Sequence, residues 1–143
     1  MKRAWLILHY QLEREPSAPR VSVWRKLKKL GAVLVQDTLW VLPDNARTRE
    51  QFRWLAAEVV EHGGNASVFV GSSVLLGQDE QLERQFQALV EPGYRQLLEA
   101  FQATEPNLAV LSKQFQVLQS QDHLHSALGE QVRLALEQAK ERA

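Results

Sequence analysis

A dense run of cations in the first third of the chain has the spacing to hold an anionic ligand. Residues 25–29 carry four Lys or Arg side chains, and on a helical wheel all four fall opposite the apolar residues Val23 and Leu27. Cations on one helix face can contact phosphates and release counterions. An ordinary solvated helix face is the alternative. With a nearby arginine and two that open the next predicted helix, the candidate phosphate contacts are Arg20, Arg25, Lys26, Lys28, Lys29, Arg47 and Arg49.

The last two of these arginines are expected where a cation is electrostatically unfavourable. Arg47 and Arg49 fall in the first turn of a predicted helix, where positive charge opposes the helix dipole. An anionic ligand would relieve that cost. Asp44 and Glu50 would neutralise the two cations equally well, so both interpretations stay open at this point.

The formal net charge of zero conceals an asymmetry between the two parts of the chain. Residues 1–54 hold eleven Lys or Arg against five Asp or Glu, whereas residues 55–143 hold six against twelve. This separation favours an anionic partner for the first part, with nucleic acid as the first candidate. Tryptophans in the same part could stack on bases. Core packing is the stronger expectation for Trp24 and Trp40, while Trp54 lies off the apolar stripe of its helix.

Patterns that would indicate catalysis or metal binding are weak. The chain has no cysteine, which excludes disulfides and thiolate sites. His123 and His125, next to Asp122, lack an obvious third ligand and are interpreted as loop residues. His9 is expected to be a core histidine. A metal nuclease is the remaining enzyme class to test, but the first strand ends without an aspartate and no carboxylates are paired at catalytic spacing. We therefore expect no enzyme activity, no metal and no cofactor.

The apolar pattern predicts a strand, a helix and two more strands in the first 42 residues. Residues 4–10 form a short run typical of a buried strand. The following helix has Ser17 as its expected N-cap and ends at Gly31. Two short strands at 32–36 and 38–42 come next.

A second helix and a last strand complete the predicted sheet. Thr48 and Gln51 have the spacing of a capping box at the start of the helix, and Gly63 with Gly64 ends it. Residues 66–76 are typical of a strand. The order β-α-β-β-α-β predicts an α+β fold, the ferredoxin-like split unit.

The rest of the chain predicts helices with one apolar face each. Asp79 is expected to cap the first, and Pro92 with Gly93 to kink or break it. Two more helices follow around 108–118 and 126–141. We expect a ferredoxin-like part over residues 1–78 and a helical extension over 79–143 packed on it, as one compact domain.

Apolar runs near the start are far too short for a membrane span or a signal peptide. We therefore expect a cytoplasmic protein without a membrane partner.

Four motifs between residues 15 and 55 are specific enough to compare with a family. They are Glu15-Pro16-Ser17, VWRKL at 23–27, WVLP at 40–43 and R-T-x-E-x-F-x-W-L at 47–55. With them the chain resembles the N-terminal domain of the chromate-resistance regulator ChrB family, and the agreement is looser in later residues. The rhodanese-like second domain of that family is not matched.

The resemblance implies a fold similar to the middle domain of PaaX-type repressors. It also implies a cytoplasmic, DNA-binding transcription regulator that acts at the promoter of a chromate-efflux operon, and it favours DNA as the partner of the cations. The alternative is a module without DNA binding, for oligomerisation or for holding an oxyanion such as chromate or sulfate through its arginines. We expect a homodimer, formed through the sheet edge or the helical extension.

Overall fold

Residues 2–143, the part described by the computed structural model, contain four strands and five helices. The chain divides into two compact units, one through Leu82 and the other Glu83–Ala143. In chain order the elements are β1 Trp5–Gln11, α1 Ala18–Leu30, β2 Val33–Gln36, β3 Leu39–Pro43, α2 Ala46–Glu61, β4 Asn65–Gly71, α3 Gln78–Ala100, α4 Leu108–Gln121 and α5 Ala127–Arg142.

The strands of the first unit form one antiparallel sheet in the order β2-β3-β1-β4. Leu6 and Leu8 of β1 lie opposite Leu42 and Trp40 of β3, and all four side chains are buried. Alternate residues of a strand share one face, so these four form the apolar face of the sheet. The element order and the sheet order are those of the ferredoxin-like split unit. The predicted α+β fold with C-terminal helices is confirmed.

Two helices complete the core of the first unit. Val23 and Leu27 of α1 are one turn apart and fully buried, and so are Phe52 and Val59 of α2, two turns apart. Helix α2 packs on β1 and β4, and α1 contacts α2. Burial of each large apolar side chain contributes roughly 1.5–3 kcal/mol, so this core fixes how α1 is held.

The second unit has a separate apolar core, and it explains why α3 is continuous. The core is made of Val90, Tyr94, Leu97, Leu111, Phe115, Val132 and Leu136. The sequence predicted a kink or a break at Pro92, and helix α3 continues through it, so there is no break. An internal proline costs about 3 kcal/mol, but the buried side chains on both sides of it contribute about 1.5–3 kcal/mol each.

Two helix starts differ from the sequence prediction, and a third begins after its predicted N-cap residue but without the capping hydrogen bond. Helix α2 begins two residues before Thr48, because Asn45 is its cap. The Asn45 side chain accepts a hydrogen bond from the Thr48 backbone N–H at 2.9 Å. The Thr48 hydroxyl accepts one from the Asn45 backbone N–H at 3.0 Å. Ser17 is the N-cap residue of α1 but its side chain makes no capping hydrogen bond. Asp79 lies inside α3, and its carboxylate accepts from the Arg3 backbone N–H and the Trp5 indole at 3.0 and 2.9 Å.

Strand β4 is shorter than predicted. The strand ends at Gly71 rather than at residue 76, because Gly71 pairs with Trp5, the first residue of β1, and the ladder has no further β1 partner.

His9 is exposed, so its prediction as a core residue is wrong. It alternates with the buried Leu8 and Tyr10 and therefore lies on the opposite face of β1.

Candidate nucleic-acid interface

Helix α1 carries five of the seven candidate cations and contains no acidic residue. Its first turn tolerates Pro19, whose missing N–H would have no helical partner there. Its end is set by Gly31, which adopts the left-handed conformation at φ 78° and donates to the carbonyls of Leu27 and Lys28. The two lysines of the last turn face the negative end of the helix dipole, which favours them. The sequence therefore forms a short, well-terminated basic helix.

One of the predicted cations is directed toward α2 rather than away from the protein. The Lys26 ammonium forms a salt bridge with the Glu58 carboxylate of α2, and the Ser22 hydroxyl donates to the same carboxylate at 3.4 Å. Ser22 and Lys26 are one turn apart, so this flank of α1 is used for helix packing. The expectation that Lys26 shares one acid-free face with the other three cations is wrong.

The remaining cations of the run occupy the outer side of α1. Arg25, Lys28 and Lys29 are all exposed, and their i, i+3 and i+4 spacing places them next to one another on the helix surface. We call this set the outer basic face. It lies on the far side of the helix from the buried Val23 and Leu27, so the packing of the core presents it to solvent.

Trp24 lies beside the outer basic face and is half-exposed, at 48%. The Lys28 ammonium sits 5.6 Å from the centroid of the Trp24 ring, within reach of a cation–π contact. The expectation that Trp24 packs in the core is wrong, whereas Trp40 is buried as expected. Trp24 precedes Arg25 and does not share the spacing of Val23 and Leu27, and that offset is the sequence signal for its exposure.

The two arginines at the start of α2 have different surroundings. The Arg49 guanidinium donates two hydrogen bonds to the Asp44 carboxylate, at 2.7 and 2.9 Å. Those bonds lower the pKa of Asp44 and raise that of Arg49. Arg47 is exposed and forms no ion pair within residues 2–143. Arg49 thus has the internal partner that the sequence allowed, while Arg47 remains available to an external anion.

An open cleft of about 750 Å³ lies next to α1 in the first unit. The end of β1, the following loop, the start of α1 and the β2–β3 turn supply its walls. Arg14, Arg20 and the Trp24 ring line the cleft together with the buried Tyr10, whose pKa is raised mainly by burial. The sequence reasoning did not single out Arg14, because nothing in the local pattern shows that the β1–α1 loop folds back toward α1.

Two further residues from the sequence analysis are Trp54 and His123. Trp54 is 73% exposed on α2, consistent with its position off the apolar stripe. His123 packs edge-on against Phe86, with ring centroids 6.1 Å apart.

In the part of the chain that the structure describes, no group of three or more His, Asp or Glu side chains could hold a metal ion. None of the helices in residues 2–143 is long and apolar enough to cross a membrane.

Comparison with known proteins identifies the family. Residues 20–117 match the family described as Protein ChrB, N-terminal. Protein ChrB of Cupriavidus metallidurans is 30% identical over 88 residues, which covers 62% of this chain and 26% of that protein, so the match spans about a quarter of the relative's length. No solved structure matches. Because the family match covers more than half of the residues of this chain, the chain belongs to the ChrB N-terminal family.

Proposed function

We propose that this chain is the DNA-contacting part of a ChrB-type transcription regulator associated with chromate resistance, and that it holds DNA phosphates with the outer basic face of α1. The observation that carries the proposal is the placement of Arg25, Lys28 and Lys29 on one exposed side of a helix without acidic residues. Counterion release on phosphate contact gives such a face affinity for nucleic acid that depends on salt.

Two arginines on exposed faces of other helices in this protein are paired with acids of the same helix. On α5 the Arg133 guanidinium donates to Glu130 at 3.0 Å and also to Glu137, so acids one turn away on both sides neutralise it. On α3 Arg95 has Glu91 at i−4. The outer basic face has no acidic residue on its own helix, and Glu58 of α2 forms its salt bridge with Lys26. For Arg25 and Lys28 this contrast favours an external anion.

The surroundings of the face add groups suited to DNA. The exposed Trp24 ring can stack on a base or pack on a sugar, and such stacking is tolerant of sequence. Arg20 lines the cleft on the same side of α1 as Trp24, one turn before it. Arg47 at the start of α2 is a further candidate phosphate contact, whereas Lys26 and Arg49 are already held by Glu58 and Asp44.

The test is a salt titration of binding to a duplex from the promoter of a chromate-efflux operon, measured by fluorescence anisotropy. We expect log Kd to rise linearly with log salt. In Lys28→Ala/Lys29→Ala the slope should fall by about 1.8, because each phosphate contact contributes about 0.9. The matched control is Lys113→Ala/Lys140→Ala, which removes the same charge from α4 and α5.

The two pairs of variants separate the outcomes. No binding of the wild-type chain even at low salt would refute the proposal. An equal loss of slope in the control pair would show that net charge, rather than the outer basic face, controls binding.

A second candidate function is the binding of a small oxyanion such as chromate or sulfate, and the cleft favours it. Arg14 and Arg20 both line the cleft, neither forms an ion pair within residues 2–143, and an arginine fork suits an oxyanion. Isothermal titration with sulfate and with chromate would measure this directly. Binding that is lost in Arg20→Ala but kept in Lys28→Ala/Lys29→Ala would support the cleft, and heat of dilution alone would remove it.

A further inference from the structure

Within residues 2–143, strand β4 forms an edge of the sheet and pairs with β1 alone. An edge strand presents a row of unpaired backbone N–H and C=O groups, which natural proteins usually protect with charges, proline, bulges or short length. The other edge, β2, is protected in two of these ways, because it has four residues and its register shifts between Leu34 and Gln36. Strand β4 has seven residues and a continuous register from Asn65 to Gly71.

The sequence of this edge carries none of the usual protection. Residues 65–76, NASVFVGSSVLL, contain no charged residue and no proline. Phe69 and Val70 are 59% and 49% exposed on opposite faces of β4, and Val74, Leu75 and Leu76 after it are almost entirely exposed. Contiguous apolar surface next to an open strand edge marks a site of association.

We propose that β4 pairs antiparallel with β4 of a second copy of this chain, about a two-fold axis at Val68, so that the two sheets become one. In this register Ala66 lies opposite Val70 of the second copy, and Val68 lies opposite itself. Val68 and Val70 pair with Leu8 and Leu6 of β1 within the chain, so this stripe lies on the same face as the apolar core. The pairing therefore extends an existing apolar face across the interface.

The opposite face is also complementary to itself. Phe69 lies opposite Ser67 of the second copy, and the two Phe69 rings are diagonal neighbours across the axis. Diagonal neighbours lie about 7–8 Å apart at Cα, within reach of aromatic side chains. A two-fold pairing presents the same patch from both sides, as in most homodimers.

The absence of charge from residues 65–76 favours a second copy over a charged partner strand. Like charges facing each other across a strand pair destabilise it, and none face each other here. A partner with charged side chains would find no ion-pair partner on this strand, whereas a second β4 brings an equal apolar surface.

The test uses the absence of cysteine from the chain. Val68→Cys places a thiol on the axis, where paired Cα atoms are about 4.5–5.5 Å apart, a separation compatible with a disulfide. We expect this variant to form a covalent dimer on mild oxidation, with twice the 16.3 kDa mass of the chain. Val117→Cys, on the exposed side of α4, is the matched control and should remain monomeric in a denaturing gel.

Sedimentation velocity of the unmodified chain and of Val70→Lys completes the test. Val70→Lys places a charge opposite Ala66 of the second copy on both sides of the axis, where the apolar stripe offers it no partner, and should weaken the dimer by about tenfold or more, whereas Val117→Lys should leave it unchanged. A wild-type chain that stays monomeric up to about 1 mM would overturn the proposal. So would a dimer that survives Val70→Lys and does not cross-link at residue 68, because its interface would lie elsewhere. Neither readout involves DNA, so this test is independent of the DNA proposal.

Discussion

Replacement of Asp122 by alanine should destabilise the second unit far more than the loss of a loop carboxylate normally does. Asp122 follows α4 and is buried, at 9% exposure. Its carboxylate accepts hydrogen bonds from the Tyr94 hydroxyl at 3.0 Å, from the Ser126 backbone N–H at 3.1 Å and from the Ser126 hydroxyl at 3.0 Å. The residue thus joins α3 to the start of α5.

The expected cost follows from those partners. A hydrogen bond to a charged group contributes about 1.5–3 kcal/mol, and the contributions of one network do not add. Asp122→Ala removes three such bonds and leaves the hydroxyl of Tyr94, a residue that is 1% exposed, without its partner. Burial, and then the Asp122 charge, raise the pKa of Tyr94, so the phenol remains a protonated donor. We expect Asp122→Ala to lower the free energy of unfolding by about 3 kcal/mol.

Tyr94→Phe removes only one of these bonds and should cost about 1–1.5 kcal/mol. The double variant should cost about 1 kcal/mol less than the sum of the two single variants, because the shared bond is lost once. Urea denaturation followed by circular dichroism measures all three values, and hydrogen exchange of the α5 amides locates the loss. Glu105→Ala, at an exposed position, is the control and should fall within about 0.5 kcal/mol of wild type. If Asp122→Ala behaves like this control, or the two changes simply add, the reasoning is wrong.

Two further predictions concern the first unit. The Ser73 hydroxyl and further donors lower the pKa of Asp79 from 3.8 to about 2. The contribution of the Asp79 carboxylate to stability is therefore present above pH 4 and is lost as the pH falls toward 2. Asp79→Asn should flatten this acid dependence of the urea midpoint. In thermal denaturation, Gly64→Ala should cost more than Gly63→Ala. A Cβ at Gly64 would lie 2.2 Å from the Gln11 carbonyl oxygen, whereas one at Gly63 meets open space and only the φ of +83° opposes it, at about 1 kcal/mol. Equal costs would contradict this.

Much of the fold could be predicted from local pattern, because alternation and helical spacing report which side of an element is apolar. Leu6 and Leu8 alternate along β1, and Val23 and Leu27 are one helical turn apart. Gly31 ended α1 as expected, since the left-handed conformation of its cap suits glycine. The end of β4 could not be predicted, because residues 74–76 have strand-like composition but no neighbouring strand to pair with.

The candidate site was predicted in part. The cations of α1 were visible as a run, but which of them have partners depends on helix α2, brought alongside by the core. Glu58 is 32 residues from Lys26, so no local pattern connects them. Asp44 was close enough in sequence to be considered as a partner of Arg49, and the structure pairs them. Trp24 was predicted to be buried because of its residue type, whereas its position on the helix decides its exposure.

The sequence by itself determined the order of the elements, the basic character of α1 and the motifs that relate the chain to its family, because each depends on residues near one another along the chain. Only the tertiary structure decided which cations face solvent, that Trp24 borders them, and that the uncharged residues 65–71 form an open sheet edge. The physical reason is that exposure and charge pairing depend on which distant elements the apolar core brings together.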